Sequence, residues 1–194
     1  MKKLELVYRE LLFQAMEKQT KTLTQSYLAK SLNLSLSTVN LAIKPLVRMN
    51  AVKINVRNLN VIDVKKVLYY WASIRNLEKD VFFMTRIDEP IKEIEKQMPD
   101  SIVFTAYSAY KLKFNDVPAD YSEMYVYGTE EIKKRWKENK KNPNCFVLQK
   151  DQTIEQYGKV VTTANLFVDL WNIKTWYAKD FLIALEGKIG RVLE

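Results

Sequence analysis

Short polar and cationic side chains recur along one segment of the sequence at the spacing of a helix surface. Hydroxyl, amide, ammonium and guanidinium groups of this kind form hydrogen bonds with the edges of nucleic-acid bases and neutralise phosphates. The predicted members of this set are Ser35, Ser37, Thr38, Asn40, Lys44 and Arg48. Their chemistry is the non-covalent recognition of a polyanion rather than the breaking of bonds.

Two helices joined by a short turn are predicted to position these side chains. Ala29 supplies the small residue that two steeply crossing helices need where their backbones come closest. Asn33 lies in the turn, where a left-handed backbone is often required and Asn tolerates it better than most residues. Thr24 is the predicted N-cap of the first helix, and Ser35 or Ser37 that of the second. The pattern is typical of a helix-turn-helix.

A buried stripe and a β-hairpin complete the predicted unit. The stripe follows helical spacing through Val39, Ala42 or Ile43, and Leu46. Beyond it, apolar and polar residues alternate, which predicts a hairpin with Val52, Ile54 and Val56 on one face and a turn at residues 58–60. The hairpin side chains expected to contact phosphates or the minor groove are Lys53, Arg57 and Asn58. Two alternatives stay open: a helical hairpin that only packs or dimerises, and a hairpin whose charges only keep its edge soluble.

The positive charge of the chain is concentrated in this part of the sequence. The formal net charge is +8, with 31 Lys and Arg against 23 Asp and Glu. Residues 1–75 hold 13 of the cations and four of the acids, whereas residues 76–194 hold 18 and 19. The excess therefore lies entirely in the first 75 residues. Because phosphate neutralisation and counterion release supply non-specific affinity, we expect double-stranded DNA as the partner.

Several residue types that enzymes use are missing. The chain has no histidine and only four glycines, none of them in a phosphate-binding loop. This composition excludes a His-based triad, a His-ligated zinc site and a dinucleotide-binding fingerprint. Cys145 lies in a predicted strand and is interpreted as a core thiol. We expect no catalysis, no cofactor and no metal ion. Apolar runs far shorter than a membrane span and the lack of a signal peptide indicate no membrane and a cytoplasmic location.

The sequence divides into two predicted domains, residues 1–77 and residues 78–194. In the second, candidate strands alternate with candidate helices, which favours a mixed α/β domain. The strands are predicted at 81–85, 102–105, 124–127 and 145–148, with a further short one at 160–162. The helices are predicted to open at Asp88 and to cover 107–114, 129–139 and 175–186. The expected fold class is α+β, with an N-terminal winged helix-turn-helix.

This arrangement resembles the abortive-infection family of antitoxins and regulators (AbiEi-like). The segments that carry the resemblance in the second half are residues 103–112, 124–127 and 161–171. The C-terminal domain of that family resembles a nucleotidyltransferase fold. The resemblance implies a DNA-binding autoregulator, often paired with a nucleotidyltransferase toxin as its protein partner.

The chain departs from active nucleotidyltransferases at the metal site. Those enzymes are similar to one another in a Gly-Ser turn followed by a strand with two carboxylates one residue apart, which hold Mg²⁺ ions. Here the turn is Tyr107-Ser108, and residues 124–127 carry no acid. The acid-x-acid pairs of the chain are Glu78/Asp80 and Glu93/Glu95. Both lie in predicted helices, where that spacing directs side chains about 200° apart. The second domain is therefore predicted to be catalytically silent.

Three functions stay open at this point. The preferred one is a sequence-specific DNA-binding transcriptional regulator, including an antitoxin-type autorepressor. The alternatives are a nucleotidyltransferase-like enzyme with a displaced metal site and an adaptor that binds a protein through its C-terminal domain. The aromatic clusters are expected in the core or at a protein interface, including that of a homodimer. They comprise Trp171, Trp176, Tyr177 and Phe181, and Tyr121, Tyr125 and Tyr127.

Overall fold

Helices dominate the first part of the chain, and a four-stranded sheet lies at the centre of the second. The computed structural model describes the backbone of residues 1–193 and the side chains of residues 1–190. The helices are α1 (Lys3–Met16), α2 (Gln25–Ser31), α3 (Leu36–Arg48), α4 (Val64–Ile74), α5 (Ile91–Gln97), α6 (Ala106–Phe114), α7 (Thr163–Trp171) and α8 (Ala178–Leu193). The strands are β1 (Thr22–Leu23), β2 (Val52–Ile54), β3 (Leu59–Val61), β4 (Val81–Thr85), β5 (Val103–Thr105), β6 (Met124–Gly128) and β7 (Cys145–Gln149). The expected α+β class is confirmed.

The pair α2–α3 forms as the local signals predict. The hydroxyl of Thr24 caps α2 by accepting a hydrogen bond from the amide of Tyr27 at 3.0 Å. Ser35 caps α3 by accepting one from the amide of Thr38 at 3.2 Å. Between the helices, Asn33 has the predicted left-handed backbone, with φ of 52°. The turn therefore lies at the predicted residue.

Removal of the α2 cap should be measurable in solution. We expect Thr24→Ala to lower the free energy of unfolding by about 1 kcal/mol, because a helix N-terminal amide loses its side-chain acceptor. Urea denaturation measures the difference. Ser26→Ala is the control, since Ser26 is an exposed residue in the first turn of the same helix and Ala is the better helix former. Equal unfolding midpoints for the two variants would contradict the capping role.

The inner face of α3 is also as predicted. Val39, Ala42, Ile43 and Leu46 are all fully buried, and this stripe faces α1, which also packs on α4.

Strands β1, β3 and β2 form an antiparallel sheet in that order, with Thr22 opposite Asn60 and Val52 opposite Val61. The order α1, β1, α2, α3, β2, β3 places a hairpin directly after the second helix of the pair.

The hairpin differs from its predicted register. The turn lies at residues 55–58, closed by a hydrogen bond from the Asn55 amide to the Asn58 carbonyl at 2.8 Å, and not at 58–60. Ile54 is 47% exposed and Val56 is fully exposed, so neither lies in the core. The physical reason is length. The hairpin pairs only three residues per strand, so the pairing ends at Ile54 and Val56 lies in the exposed turn.

The second sheet has the strand order β4-β7-β6-β5. Strands β6 and β7 are parallel, whereas β4–β7 and β5–β6 are antiparallel. One face packs on α6 and α7, and buried residues of α8 join the same core. The other face packs on Ile94 of α5 and on Ile132, and it includes Cys145, Val126 and Val147.

Several predicted elements of the second half have different limits. Residues 129–139 form only a 3-10 helix at Glu130–Lys134. The helix predicted to open at Asp88 begins at Ile91, after Pro90. The strand predicted at 160–162 is a single bridge between Val160 and Phe104, and the last helix runs from Ala178 to Leu193. Because short 3-10 turns and single bridges depend on distant packing, local periodicity does not indicate them.

The largest hydrophobic core crosses the predicted domain boundary at residue 77. It joins buried side chains of α1, α3 and α4 with others of α6, α7 and α8. Helix α1 lies at its centre, since it packs against α3, α4 and α7. The two parts of the chain are therefore held together by shared packing. No helix among the described residues is long and apolar enough to cross a membrane.

Candidate functional site

The outward face of α3 brings most of the predicted polar residues together. The residues Ser37, Asn40, Leu41, Lys44 and Arg48 are spaced at i, i+3, i+4, i+7 and i+11, so they form one stripe along the helix. All five are exposed. The stripe lies opposite the buried residues, so packing against α1 fixes its direction. We call these five residues the α3 stripe.

The first turn of α3 uses part of the predicted set for its own structure. The Ser35 hydroxyl lies 2.8 Å from the hydroxyl of Ser37 and 2.9 Å from that of Thr38, in addition to capping the helix. Thr38 is half-buried. Ser35 and Thr38 are thus structural residues at the rim, whereas Ser37 and Asn40 present polar groups on the stripe itself.

Two exposed leucines on this surface were missed by the sequence analysis. Leu36 is 54% exposed and Leu41 is 56% exposed, and both line an open depression of about 580 Å³ between α2 and α3 together with Gln25. Helical spacing places Leu41 on the outward stripe, four residues after Ser37, but its apolar side chain gives no local sign of a polar binding surface. An exposed aliphatic side chain among hydrogen-bonding groups can contact the methyl group of thymine.

The hairpin presents two of its three predicted DNA-contacting residues to solvent. Lys53 on β2 and Arg57 in the turn are both exposed. Asn58 is half-buried, and its side-chain oxygen accepts a hydrogen bond from the amide group of Asn55 at 2.9 Å. This hydrogen bond holds the turn, and the predicted contact of Asn58 with phosphate or the minor groove stays a prediction. Val56, at the tip, is the most exposed apolar residue here.

On the surface of the first 75 residues, the ratio of cations to acids is higher than in the sequence of that segment. Eleven of its 13 cations are exposed, whereas Arg9 and Arg75 are buried. Two of the four acids, Glu5 and Glu10, are buried as well. The outer surface therefore presents eleven cations with Glu17 and Asp63 as the remaining acids, which favours contact with a polyanion.

A buried ion cluster joins α1, α4 and α7. The guanidinium of Arg75 contacts Asp169 at 3.5 Å, Glu5 at 3.4 Å and the hydroxyl of Tyr127 at 3.2 Å, and it also pairs with Asp80. Complete burial raises the pKa of Asp169, although the charge of Arg75 opposes the rise. The sequence offers no local sign of this cluster, because its members come from both halves.

The Asp169 carboxylate accepts hydrogen bonds from three neighbouring side chains. Its Oδ2 accepts hydrogen bonds from the hydroxyl of Thr105 at 2.7 Å, from the hydroxyl of Tyr127 at 2.8 Å and from the amide of Asn165 at 2.8 Å. A carboxylate held in this way fixes the packing of neighbouring elements. We interpret the cluster as structural.

A second buried pair connects α1 to the segment after β7. Arg9 donates to both oxygens of Asp151, at 2.8 and 2.6 Å, and to the hydroxyl of Thr153 at 2.8 Å. Burial acts to raise the pKa of Asp151, but the hydrogen bonds and charge of Arg9 outweigh it, so the pKa is lowered. Next to Arg9, Glu10 accepts hydrogen bonds from Tyr157 at 2.6 Å and from Tyr27 of α2 at 2.9 Å.

All four acids of the acid-x-acid pairs form ion pairs, and Cys145 is buried. Glu93 pairs with Lys96 at the surface at 2.8 Å, whereas Glu95 is half-buried and pairs with Lys111. Among the described residues, no group of three or more Cys, Asp or Glu could hold a metal ion. Burial raises the pKa of the Cys145 thiol to about 12, which keeps it protonated.

The aromatic clusters divide between core and surface. Tyr107, Tyr177 and Phe181 are buried, with the ring of Tyr107 within 5.0 Å of both others. In contrast, Trp171 is 45% exposed and Trp176 is 79% exposed. The buried rings form part of the core, and the two tryptophans face outward near the α7–α8 connection.

Comparisons with known proteins found no relative of this chain. No protein-family model, no curated protein and no solved structure matches the chain. The resemblance to AbiEi-like regulators therefore stays a prediction from the sequence.

Proposed function

We propose that this protein is a sequence-specific DNA-binding regulator whose first 77 residues act as a winged helix-turn-helix. The observation that carries the proposal is the α3 stripe. Its hydroxyl, amide, methyl and cationic groups lie on the exposed face of the second helix of a capped helical pair. A basic hairpin follows that helix immediately. This combination is the one that helix-turn-helix proteins use to read duplex DNA.

The proposed complex places α3 in the major groove. Its 13 residues span about 20 Å, and the groove of B-DNA admits a helix. Asn40 and Ser37, near the N-terminal end of α3, would reach base edges, with Asn40 suited to the paired donor and acceptor of adenine. Leu41 would contact a thymine methyl group. Lys44 and Arg48, together with Lys53 and Arg57 of the hairpin, would contact the phosphate backbone.

A binding titration tests the proposal directly. Fluorescein-labelled duplexes, first of random sequence and then enriched by selection on the immobilised protein, are titrated by fluorescence anisotropy at several KCl concentrations. Four phosphate contacts predict a slope of about −3.6 in log K against log salt, since each contributes about −0.9. Absence of binding at low salt, or a slope near zero, would refute DNA binding. Failure to enrich any sequence would refute sequence specificity alone.

For the second half, we propose a non-catalytic domain with a nucleotidyltransferase-like fold. The strand β6 carries no acid, and each of the four acids of the acid-x-acid pairs is held in an ion pair rather than gathered around a metal position. The exposed Trp171 and Trp176 favour a protein-binding role as a second function of this half, because large aromatic side chains are enriched at interfaces. A homodimer and a toxin-like nucleotidyltransferase are the partners proposed for it.

A further inference from the structure

A cavity of about 390 Å³ lies between the second sheet and the connection from α7 to α8. Its floor is a row of three side chains at paired positions on neighbouring strands: Met84 on β4, Phe146 on β7 and Tyr125 on β6. The rings of Tyr125 and Phe146 are stacked, with centroids 4.7 Å apart and planes 9° from parallel. The floor therefore consists of two aromatic rings in mutual stacking contact and the side chain of Met84.

The course of the chain leaves this end of the sheet uncovered. Helices pack over the same face elsewhere, but α7 ends at Trp171 and α8 begins only at Ala178. Residues 172–175 line the cavity instead of a helix side. The side chain of Asn172 anchors this connection by donating to the carbonyl groups of Ala72 at 3.1 Å and Val168 at 2.9 Å.

The cavity contains one carboxylate without a cationic partner. Glu123 is half-buried and accepts a hydrogen bond from the Tyr125 hydroxyl at 3.0 Å. Within the described part of the chain, no Lys or Arg nitrogen lies within 4.0 Å of it. Burial raises the pKa of Glu123, and the hydroxyl of Tyr125 offsets the rise only in part. By contrast, Glu78 at the exposed mouth is paired with Lys174 at 2.7 Å.

We propose that this cavity binds a small planar aromatic cation, with its ring against Tyr125 and Phe146 and its charged N–H edge on Glu123. The rings of Tyr125 and Phe146 give the ligand ring apolar contact, and a charge-assisted hydrogen bond to a partly buried carboxylate is among the stronger polar contacts. The volume lies in the range of small-molecule sites. An anionic ligand is disfavoured because Glu123 would repel it. The site is separate from the α3 stripe and does not depend on DNA binding.

Benzamidine is a suitable probe, with neutral benzamide as its matched control. We expect benzamidine to bind the full chain with a dissociation constant on the order of 1 mM in ligand-observed NMR titrations, as befits so small a ligand. Benzamide should bind at least about tenfold more weakly, because it lacks the charge. Glu123→Gln should weaken benzamidine binding by a similar factor, whereas Glu78→Gln at the mouth should change it by less than about threefold.

A second variant keeps the proposal testable if Glu123→Gln fails to fold. Met84→Trp fills the cavity from its floor and should abolish benzamidine binding, with circular dichroism used to verify that each variant is folded. Equal binding of benzamidine and benzamide, or unchanged binding in folded Glu123→Gln or Met84→Trp, would overturn the proposal. Because the readout involves no nucleic acid, its outcome is independent of the DNA titration.

Discussion

A variant with Lys44, Arg48, Lys53 and Arg57 all replaced by Ala should lose at least about 100-fold in affinity for duplex DNA at 0.1 M salt. The expected loss follows from counterion release, because each phosphate contact contributes about 0.9 to the slope of log K against log salt. All four side chains are exposed, two on the outward face of α3 and two on the hairpin. Their removal should bring the slope from about −3.6 to near zero.

The control for this variant removes the same charge from the other half of the chain. Lys92, Lys134, Lys137 and Lys141 are exposed, so their replacement by Ala lowers the net charge by the same amount. Anisotropy titrations of the two variants on one duplex then separate a local interface from a general attraction between a basic protein and a polyanion. Equal losses in the two variants would mean that the α3 stripe and the hairpin are not the DNA-binding surface.

The helical pair that carries this surface was predictable because its signals are local. The caps Thr24 and Ser35, the left-handed Asn33 and the buried stripe of α3 each depend on residues within a few positions. Any sequence that satisfies all of them at once favours one local structure. The existence of the hairpin was predicted correctly, but its register was not. Alternation of apolar and polar residues alone does not indicate where a three-residue pairing ends.

The buried ion pairs could not be predicted, because their partners are distant in sequence. Arg9 and Asp151 are separated by 142 positions. From the helical pattern of α1 alone, Arg9 and Glu10 belong to the solvent side, since the apolar face is formed by Leu4, Leu11 and their neighbours. They are buried because α1 is enclosed by elements of both halves. Local periodicity identifies the apolar face of such a helix. It carries no information about whether distant parts of the chain bury the opposite face.

The same enclosure leads to the largest expected effect on stability, at Arg75. We expect Arg75→Met to lower the free energy of unfolding by about 3–5 kcal/mol, because the buried carboxylates of Glu5 and Asp169 lose their shared cation. That is a large part of the stability of a typical domain. Lys174→Met is the control, since the exposed pair with Glu78 should contribute no more than about 1 kcal/mol.

The pH dependence of this variant gives a second readout with a definite sign. In the native chain, burial already raises the pKa of Asp169, so the folded state binds its proton more tightly than the unfolded state does. That difference makes stability fall as the pH rises from the unfolded pKa through the folded one. Because Arg75 opposes the rise, Arg75→Met should raise the pKa of Asp169 further and extend the decline to higher pH.

Urea denaturation at pH 5 and at pH 8 measures both effects. The variant should lose more stability than the native chain between these two values. Addition of Asp169→Asn to Arg75→Met should restore part of the loss at pH 8, because a neutral amide needs no counter-charge. If Arg75→Met loses less than about 1 kcal/mol, or if its pH profile runs parallel to that of the native chain, the cluster is not the tie between α4 and α7 that its geometry indicates.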